Sequence, residues 1–305
     1  MIINMIGSFI RNAPFGTEIA FAKGLRQLGH TVCTWDPSAE DFHESMLPVT
    51  AAATIIFKDH GEKTYPVLWQ LRKWHHLIEY QPDDIRAPGI RDMMENMLQY
   101  CDYAFTFDES GAKVAEEIGY KKARKLLVTA DPELYRPLGL EKSADFCFVG
   151  STSNPKSHKS RRDMINSLKE AGYDVVATQG LYDPHVINRM YNSSRVVINH
   201  ATDMGQEFGT GYGYQCRHFE AGMAGACLLS NELLDEEPDG PQQFVRFSSK
   251  QDLLAAAEDL INGWYDGPIY ERQGTELYNE IMTSHQPVHR AQEIVNFINE
   301  VRDES

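Results

Sequence analysis

No apolar run in the chain approaches the roughly 18–20 residues that a membrane-spanning helix requires, and the opening MIINMIGSFIRNAPFG lacks the charged start and cleavage pattern of an export signal. A cytoplasmic protein without a membrane span is expected. Cysteine is scarce as well: Cys33, Cys101, Cys147, Cys216 and Cys227 are scattered without CxxC spacing, so neither a zinc site nor a disulfide framework is suggested and reduced, mostly buried thiols are expected. Positive charge is short. Lys and Arg total 29 against 44 Asp and Glu, a formal net charge of −15, which disfavours non-specific binding of a polyanion, because that affinity comes from cations displacing counterions around phosphates. A local basic patch could survive at KKARK (121–125) or KSHKSRR (156–162), although short charge runs are most often solvated faces. Internal repeats and low-complexity segments are also absent.

What the 305 residues do have is enough apolar content, 42%, for one large α/β domain or two smaller ones. MIINMIGSF reads as a strand breaking at Gly7, GTEIAFAKGLRQLGH as an amphipathic helix, and TVCTWD as the next strand. That β-α-β opening builds parallel sheets. Strands follow at ATIIFKD, HLIEY and YAFTF, with helices from about Tyr65 to Trp74, Arg91 to Tyr100 and Glu109 to Ile118. The Pro-bearing ADPELYRPLG then interrupts the pattern as a linker. Alternation resumes with DFCFVGS, a helix from about Ser160 to Ala171, DVVAT, a helix from Pro184 to Ser193, RVVINH, a helix carrying Glu220, and ACLLS; DLLAAAEDLINGWY and HRAQEIVNFINEV close the chain as helices. The expected fold class is α/β, with two Rossmann-like domains at 1–135 and 136–305, the terminal helices being counted with the second.

Parallel sheets bind ligands beyond the carboxyl ends of their strands, so the residues just after each strand are the ones to inspect. After DFCFV come Gly150 and Ser151 and a loop leading to a helix that bears Arg161 and Arg162. Glycine lets backbone approach an anion, helix N-terminal amides favour negative charge, and an arginine fork grips phosphate oxygens in pairs. A diphosphate would fit, although the loop has neither the Walker A lysine nor a dinucleotide fingerprint. In RHFEAGMAG, Arg217 and Glu220 lie three apart near a helix N-terminus thinned by small residues. Arginine suits a phosphate and a carboxylate suits the vicinal hydroxyls of a ribose; an exposed salt bridge is the plain alternative. In EYQPDDIRAPG, Asp83 and Asp84 occupy a Pro-bounded loop where a carboxylate could act as general base, or simply cap a turn. In NAPFGTEI, Gly16, Thr17 and Glu18 could meet a sugar or acceptor, with capping by Thr17 the simpler explanation. WHHLIE spaces His75, His76 and Glu79 like metal ligands, but on a segment entering a strand that geometry fails. GTGYGYQ reads as a loop closing over a ligand, with Tyr212 or Tyr214 as contacts.

These residues carry a resemblance. YNSSRVVINHATD, RHFEAGMAGACLLSNE and SHQPVHRAQEIVNFI, within about residues 145–300, resemble the C-terminal half of GT-B glycosyltransferases, particularly the group related to spore-maturation proteins. The N-terminal half is similar only generally, through its first strand, FGTE and LRQLGHTV. A second likeness is to bacteriophage DNA β-glucosyltransferases, which carry a Gly-Ser loop followed by arginines, an Arg-x-x-Glu helix and an Asp-Ile-Arg-x-Pro segment; the counterparts are Gly150-Ser151 with Arg161 or Arg162, Arg217 with Glu220, and Asp84-Ile85-Arg86-Ala87-Pro88. The arginine loop is longer here and differently spaced.

The resemblance implies two Rossmann-like domains facing across a cleft and a nucleotide-sugar donor, UDP-linked by expectation, held by the C-terminal domain. Glu220 would take the ribose, Arg217 and Arg161 or Arg162 the phosphates, and the backbone near Leu181 and Tyr182 the base. Asp84 would deprotonate an acceptor hydroxyl, which attacks the anomeric carbon in line and inverts it. No metal is obligatory in that scheme, since arginines and helix amides can carry the leaving-group charge, though a divalent cation could assist product release. The acceptor implied is a hydroxymethylated base in DNA, or a glycan, protein or small metabolite. A non-catalytic nucleotide-sugar-binding protein is the rival of another class; a nicotinamide-dependent dehydrogenase would need a Gly-x-Gly-x-x-Gly turn that neither half supplies in place.

Overall fold

The computed structural model describes residues 1–9, 16–38, 47–58, 64–86, 88–153, 158–181, 183–200, 211, 213–233, 238–263 and 269–304. The chain divides into two compact units, Met1–Thr129 together with Gln286–Ser305, and Ala130–His285. The division falls at the start of the expected linker, but the last twenty residues belong to the first unit, not to the second.

The first unit runs β1 (Ile2–Ile6), α1 (Thr17–Gln27), β2 (Thr31–Trp35), β3 (Ala53–Phe57), α2 (Tyr65–Leu71), β4 (His76–Gln81), α3 (Pro88–Met97), β5 (Tyr103–Thr106), α4 (Glu109–Ile118) and β6 (Lys122–Lys125). The second runs β7 (Ala144–Val149), α5 (Lys159–Glu170), β8 (Val175–Thr178), α6 (Pro184–Ser193), β9 (Ser194–Asn199), α7 (Cys216–Met223), β10 (Cys227–Asn231), β11 (Val245–Phe247), α8 (Lys250–Asn262) and α9 (Ile269–Ser284). Helix α10 (Pro287–Asp303) then returns to the first unit. All strand pairings are parallel, in the orders β2-β1-β3-β4-β5-β6 and β11-β10-β9-β7-β8. Each sheet is therefore doubly wound. The chain reverses its direction of travel across the sheet between β1 and β3 in one unit and between β7 and β9 in the other, and at such a switch point the loops part and leave a crevice.

Burial on both faces explains why β3, with the sequence ATIIF, has no exposed residue. On one face Ile3, Met5, Ile55, Ile78 and Phe105 pack against Phe21 and Leu25 of α1 and Ile294, Phe297 and Ile298 of α10. On the other, Ile6, Ile56 and Leu77 meet Leu68 of α2 and Met94 and Met97 of α3. Helix α10 joins the first unit because its apolar stripe completes a layer that α1 alone leaves open. Phe297 is seated 4.6 Å, centroid to centroid, from Phe105.

Three elements go beyond the expectation from periodicity. The first is β6, whose sequence KARK has no apolar alternation because it is a sheet edge, where charge discourages pairing with another chain. Its cations are spent locally: Lys122 pairs with Glu300 and Glu304, and Arg124 with Glu300 at 2.7 Å. Lys121 pairs with Asp102. The second is the three-residue edge strand β11, and the third is α9, whose stripe is interrupted by Gly274 where it lies against the Gly225 carbonyl. Among the described residues no helix is long and apolar enough to cross a membrane.

Contact between α1 and α10 depends on Gly24, where an added Cβ would lie 2.5 Å from the Pro287 carbonyl carbon. Backbone cannot swing aside as a side chain can. Gly24→Ala is expected to cost about 1–3 kcal/mol by overpacking, lowering Tm by roughly 3–10 °C. Calorimetry of the two proteins checks this, and an unchanged Tm would mean that the helices separate freely.

Candidate functional site

The second sheet places its switch point where β7 and β9 lie side by side and end at Val149 and Asn199. Helix α7 begins beside them and delivers Arg217. The Arg217 Nε donates to the Val149 carbonyl, and Nη1 donates to Asn199 Oδ1 at 3.2 Å and Gln215 Oε1 at 3.1 Å. Asn199 in turn donates to Ser230 Oγ of β10 at 3.1 Å. One guanidinium thus ties the ends of both strands together, with its carbon 5.7 Å from the centre of the Phe148 ring. Gly150 is required by this arrangement: a Cβ there would sit 2.6 Å from Arg217 Nη2 and 3.1 Å from Phe148 Cζ.

Glu220, one turn further along α7, is 9% exposed. Tyr191 of α6 donates to its Oε2 at 3.0 Å, and the Tyr135 hydroxyl, buried nearby without a hydrogen bond to it, also acts on its charge. The two rings stack with centroids 6.3 Å apart. Burial raises the pKa of Glu220, while Arg217 and the two phenols pull it back. An exposed salt bridge, the plain alternative for this pair, is not what the fold builds.

Arg161 and Arg162 both bond to loop backbone. Arg161 is buried, and it donates from Nε to the His200 carbonyl at 3.1 Å and from Nη1 to the Ser151 carbonyl at 3.0 Å. Arg162 donates to the Thr152 carbonyl at 2.7 Å. Both brace the loop that follows β7, and Arg161 closes the same switch point that Arg217 spans. Lys159 of this run pairs with Asp163 at 2.6 Å. Ser151 is partly buried beside Gly150, and Leu181 is partly buried beyond β8; Tyr182 lies outside the described residues. Tyr214 is a core residue and not a loop contact: it is 2% exposed, accepts from Gln242 at 3.1 Å and packs on His218 and Phe244. Tyr212 lies outside the described residues.

In the first unit Asp84 accepts at Oδ1 from the backbone N–H and Nε of Arg86, at 3.0 and 2.6 Å. Arg86 also reaches Asp108 at 3.0 Å and Ser110 at 2.6 Å. Gly16, and not Thr17, occupies the N-cap of α1, and no side chain caps it. Thr17 is buried, and Glu18 has its pKa raised by burial against the backbone hydrogen bonds of residues 18 and 8 and the charge of Lys58. Lys58 pairs with Asp83 at 2.7 Å. These groups gather at the carboxyl ends of β1, β3 and β4. Among the described residues no three His, Cys, Asp or Glu side chains converge as metal ligands. His76 packs on Tyr103, whereas Glu79, three residues on along β4, accepts from Tyr120.

Two parallel, doubly wound sheets, the second with an arginine and a buried glutamate at its switch point, define an α/β protein of GT-B architecture. Solved structures of that fold match it along its length. An alpha-glucosyltransferase in complex with UDP and a 13-mer DNA containing a HMU base matches with a TM-score of 0.71 and 12% identity, covering 98% of this chain and 99% of that one. The Anabaena protein HepE, in complex with UDP and glucose, matches at 0.59 and 11%, covering 98% and 100%. A glycosyltransferase from Rickettsia africae matches at 0.63 and 9%, covering 100% and 99%. At such identities the likeness is one of fold. Among curated protein sequences none matches. The sequence profile of the glycosyl transferase-like family matches residues 133–296, more than half of the 305-residue chain, and the chain belongs to that family. It is a glycosyltransferase.

His218, missed in the sequence reading, is the residue that anchors α7. It is fully buried between Tyr214 and Phe244, and its Nδ1 accepts from the Gln215 N–H at 3.1 Å in a capping box. Burial lowers its pKa to about 3. Because the folded value lies below the unfolded 6.5, stability is fully present above pH 6.5 and is lost as pH falls toward about 3, where His218 has to charge. Urea unfolding between pH 7 and 4 is expected to show this loss in the wild type and a flatter profile in His218→Gln; identical profiles would contradict it.

Proposed function

We propose that this glycosyltransferase takes its sugar from a nucleoside diphosphate donor, UDP-linked, and passes it to an acceptor hydroxyl. The observation that carries the reading is the Arg217 fork held rigidly at the switch point with Glu220 one helical turn away. In this reading Arg217, Gly150 and Ser151 meet the diphosphate, Glu220 takes the ribose hydroxyls, and Leu181 and Tyr182 flank the base. Arg161 and Arg162 act indirectly, by holding the loop. A guanidinium whose geometry is fixed before the sugar leaves stabilises the developing negative charge without reorganising. A divalent cation is not obligatory on this scheme.

On the acceptor side, Gly16, Thr17 and Glu18 approach the acceptor, and Asp84, fixed by Arg86 through Oδ1, receives the hydroxyl proton. The hydroxyl oxygen bonds to the anomeric carbon as the bond to the diphosphate breaks, inverting the centre. The net charge of −15, with Lys121, Lys122, Arg124 and Lys159 each in an ion pair, favours a glycan, protein or small-molecule hydroxyl. A hydroxymethylated base in DNA is the second reading, supported by the full-length likeness to the alpha-glucosyltransferase solved with such DNA.

Arg217→Ala and Gly150→Ala are expected to weaken UDP binding by about 10–100-fold and about tenfold, the scale of charge-assisted hydrogen bonds lost or misaligned. Calorimetric titration measures both, and unchanged affinity would refute the donor site. Asp84→Asn should abolish transfer while keeping UDP affinity, and product NMR should give inversion; retention would take the base role from Asp84. Filter binding to hydroxymethylated duplex across a salt series separates the acceptors, since a DNA enzyme loses affinity steeply with salt.

A further inference from the structure

The environment of Glu220 says more than that a carboxylate is present. Tyr135 comes from the segment that opens the second unit and Tyr191 from the last turns of α6, so two distant parts of the chain converge on one side chain of α7. Both phenols are buried, Tyr191 completely. Burial and the adjacent Glu220 charge raise both pKa values, so each hydroxyl stays protonated; that of Tyr191 donates to the carboxylate, and Tyr135 stacks on the Tyr191 ring. Phenylalanine would fill the same space. The hydroxyls therefore serve Glu220 and not the packing.

An ionised carboxylate has about four lone-pair positions and no donor. Left alone in a buried site it would rotate about its terminal bond and tend to take up a proton, since desolvation opposes its charge. Tyr191 at 3.0 Å fixes Oε2, while Tyr135 limits rotation from the other ring of the stack. Arg217, three residues upstream, adds a favourable charge. What the Tyr191 contact preserves is a carboxyl oriented with a fixed plane, its Oε2 accepting. A vicinal diol, with two donors a fixed distance apart, is the partner whose binding depends most on that plane.

We propose that Tyr135 and Tyr191 are positioning residues that hold Glu220 so that the donor site selects ribonucleoside over deoxyribonucleoside diphosphates. The inference rests on Glu220 being the ribose ligand and adds the residues that make it discriminating. A site built to accept from a substrate hydroxyl rejects the analogue lacking it, because a buried polar group is then left unpaired. A merely structural pair of tyrosines would support binding of both analogues alike.

The test is calorimetric titration of ADP, CDP, GDP and UDP, each beside its 2′,3′-dideoxy counterpart, against the wild type and the Tyr191→Phe, Tyr135→Phe and Glu220→Gln proteins. The wild type is expected to prefer the ribo form of its best nucleotide by about 100-fold or more. Tyr191→Phe should reduce that ratio about tenfold, leaving dideoxy affinity and Tm almost unchanged, with a smaller reduction for Tyr135→Phe. Equal weakening of both forms in the phenylalanine variants, or an unchanged ratio, would overturn the inference. If Glu220→Gln keeps the full ratio, or if no nucleotide binds the wild type, the ribose reading itself fails and takes the inference with it. A ratio that collapses in Glu220→Gln but survives in both phenylalanine variants leaves the ribose reading standing and defeats only the role of the tyrosines. Should Tyr191→Phe not fold, Tyr135→Phe carries the same comparison.

Discussion

The second unit is organised around one guanidinium at the end of a sheet. Parallel strands end with carbonyls pointing out, and at a switch point the loops on either side depart in opposite directions, leaving those carbonyls without the partners a continuing sheet would give. Arg217 answers this by donating to Val149 of one strand and to the Asn199 side chain of its neighbour, which is itself held by Ser230 of a third. Arg161 repeats the solution a few residues outward, joining the Ser151 and His200 carbonyls. The crevice is thus braced at two levels. Everything nearby follows from the space the first brace needs: Gly150 has no side chain because the guanidinium lies against it, and the α7 cap is built so that Arg217 leaves the helix in the right direction.

A rigid arginine is a different chemical object from a mobile one. An arginine free to move pays side-chain entropy when it grips a ligand, on the order of 2 kcal/mol for full immobilisation. Arg217 has met most of that cost on folding, through bonds to its own sheet. The price is that some of its donors are already used. The same logic separates the two units chemically. The second unit concentrates positive charge against backbone, while at the strand ends of the first, carboxylates and cations are paired with each other: Asp84 with Arg86, Arg86 with Asp108, and Lys58 with Asp83.

Much of this was legible in the residues and some was not, for identifiable reasons. Helix α6 and strand β10 are visible because their apolar positions follow one period and their ends carry turn residues. Arg217 and Glu220 could be singled out because two charged side chains on a helix otherwise made of small and apolar residues need a partner, and their spacing gave them a common side. Three things were hidden. Strand β6 has no hydrophobic signal, because an edge strand of charged residues is specified by its neighbour β5 and by Glu300 some 180 residues later in the chain, a contact at a separation of 176–178 positions. The membership of α10 in the first unit is a tertiary fact, since its stripe would fit any open sheet face. Arg161 and Arg162 matched the composition of a phosphate loop, but whether a fork meets phosphate or backbone depends on which carbonyls the fold leaves unpaired, and periodicity carries no record of that. Tyr135 and Tyr191 were likewise invisible as a pair, 56 residues apart by their numbering, the first having been assigned to the other domain by a boundary set at 135.

The chain's acidity then has to be reconciled with the proposed anionic donor. A net charge of −15 repels a diphosphate at long range, yet at physiological ionic strength exposed charges are screened over about 8 Å. Beside Gly150 lies the Arg217 guanidinium, and the charge of Glu220, bonded by Tyr191, is offset by the same arginine. Local charge therefore decides binding, and the global charge acts on the rate of encounter and on what else the surface attracts. An acidic chain resists polyanions in general, while Arg217 supplies local positive charge at the end of the second sheet. Under the proposed donor assignment, a DNA acceptor would have to be held by contacts specific enough to overcome the repulsion of the acidic chain.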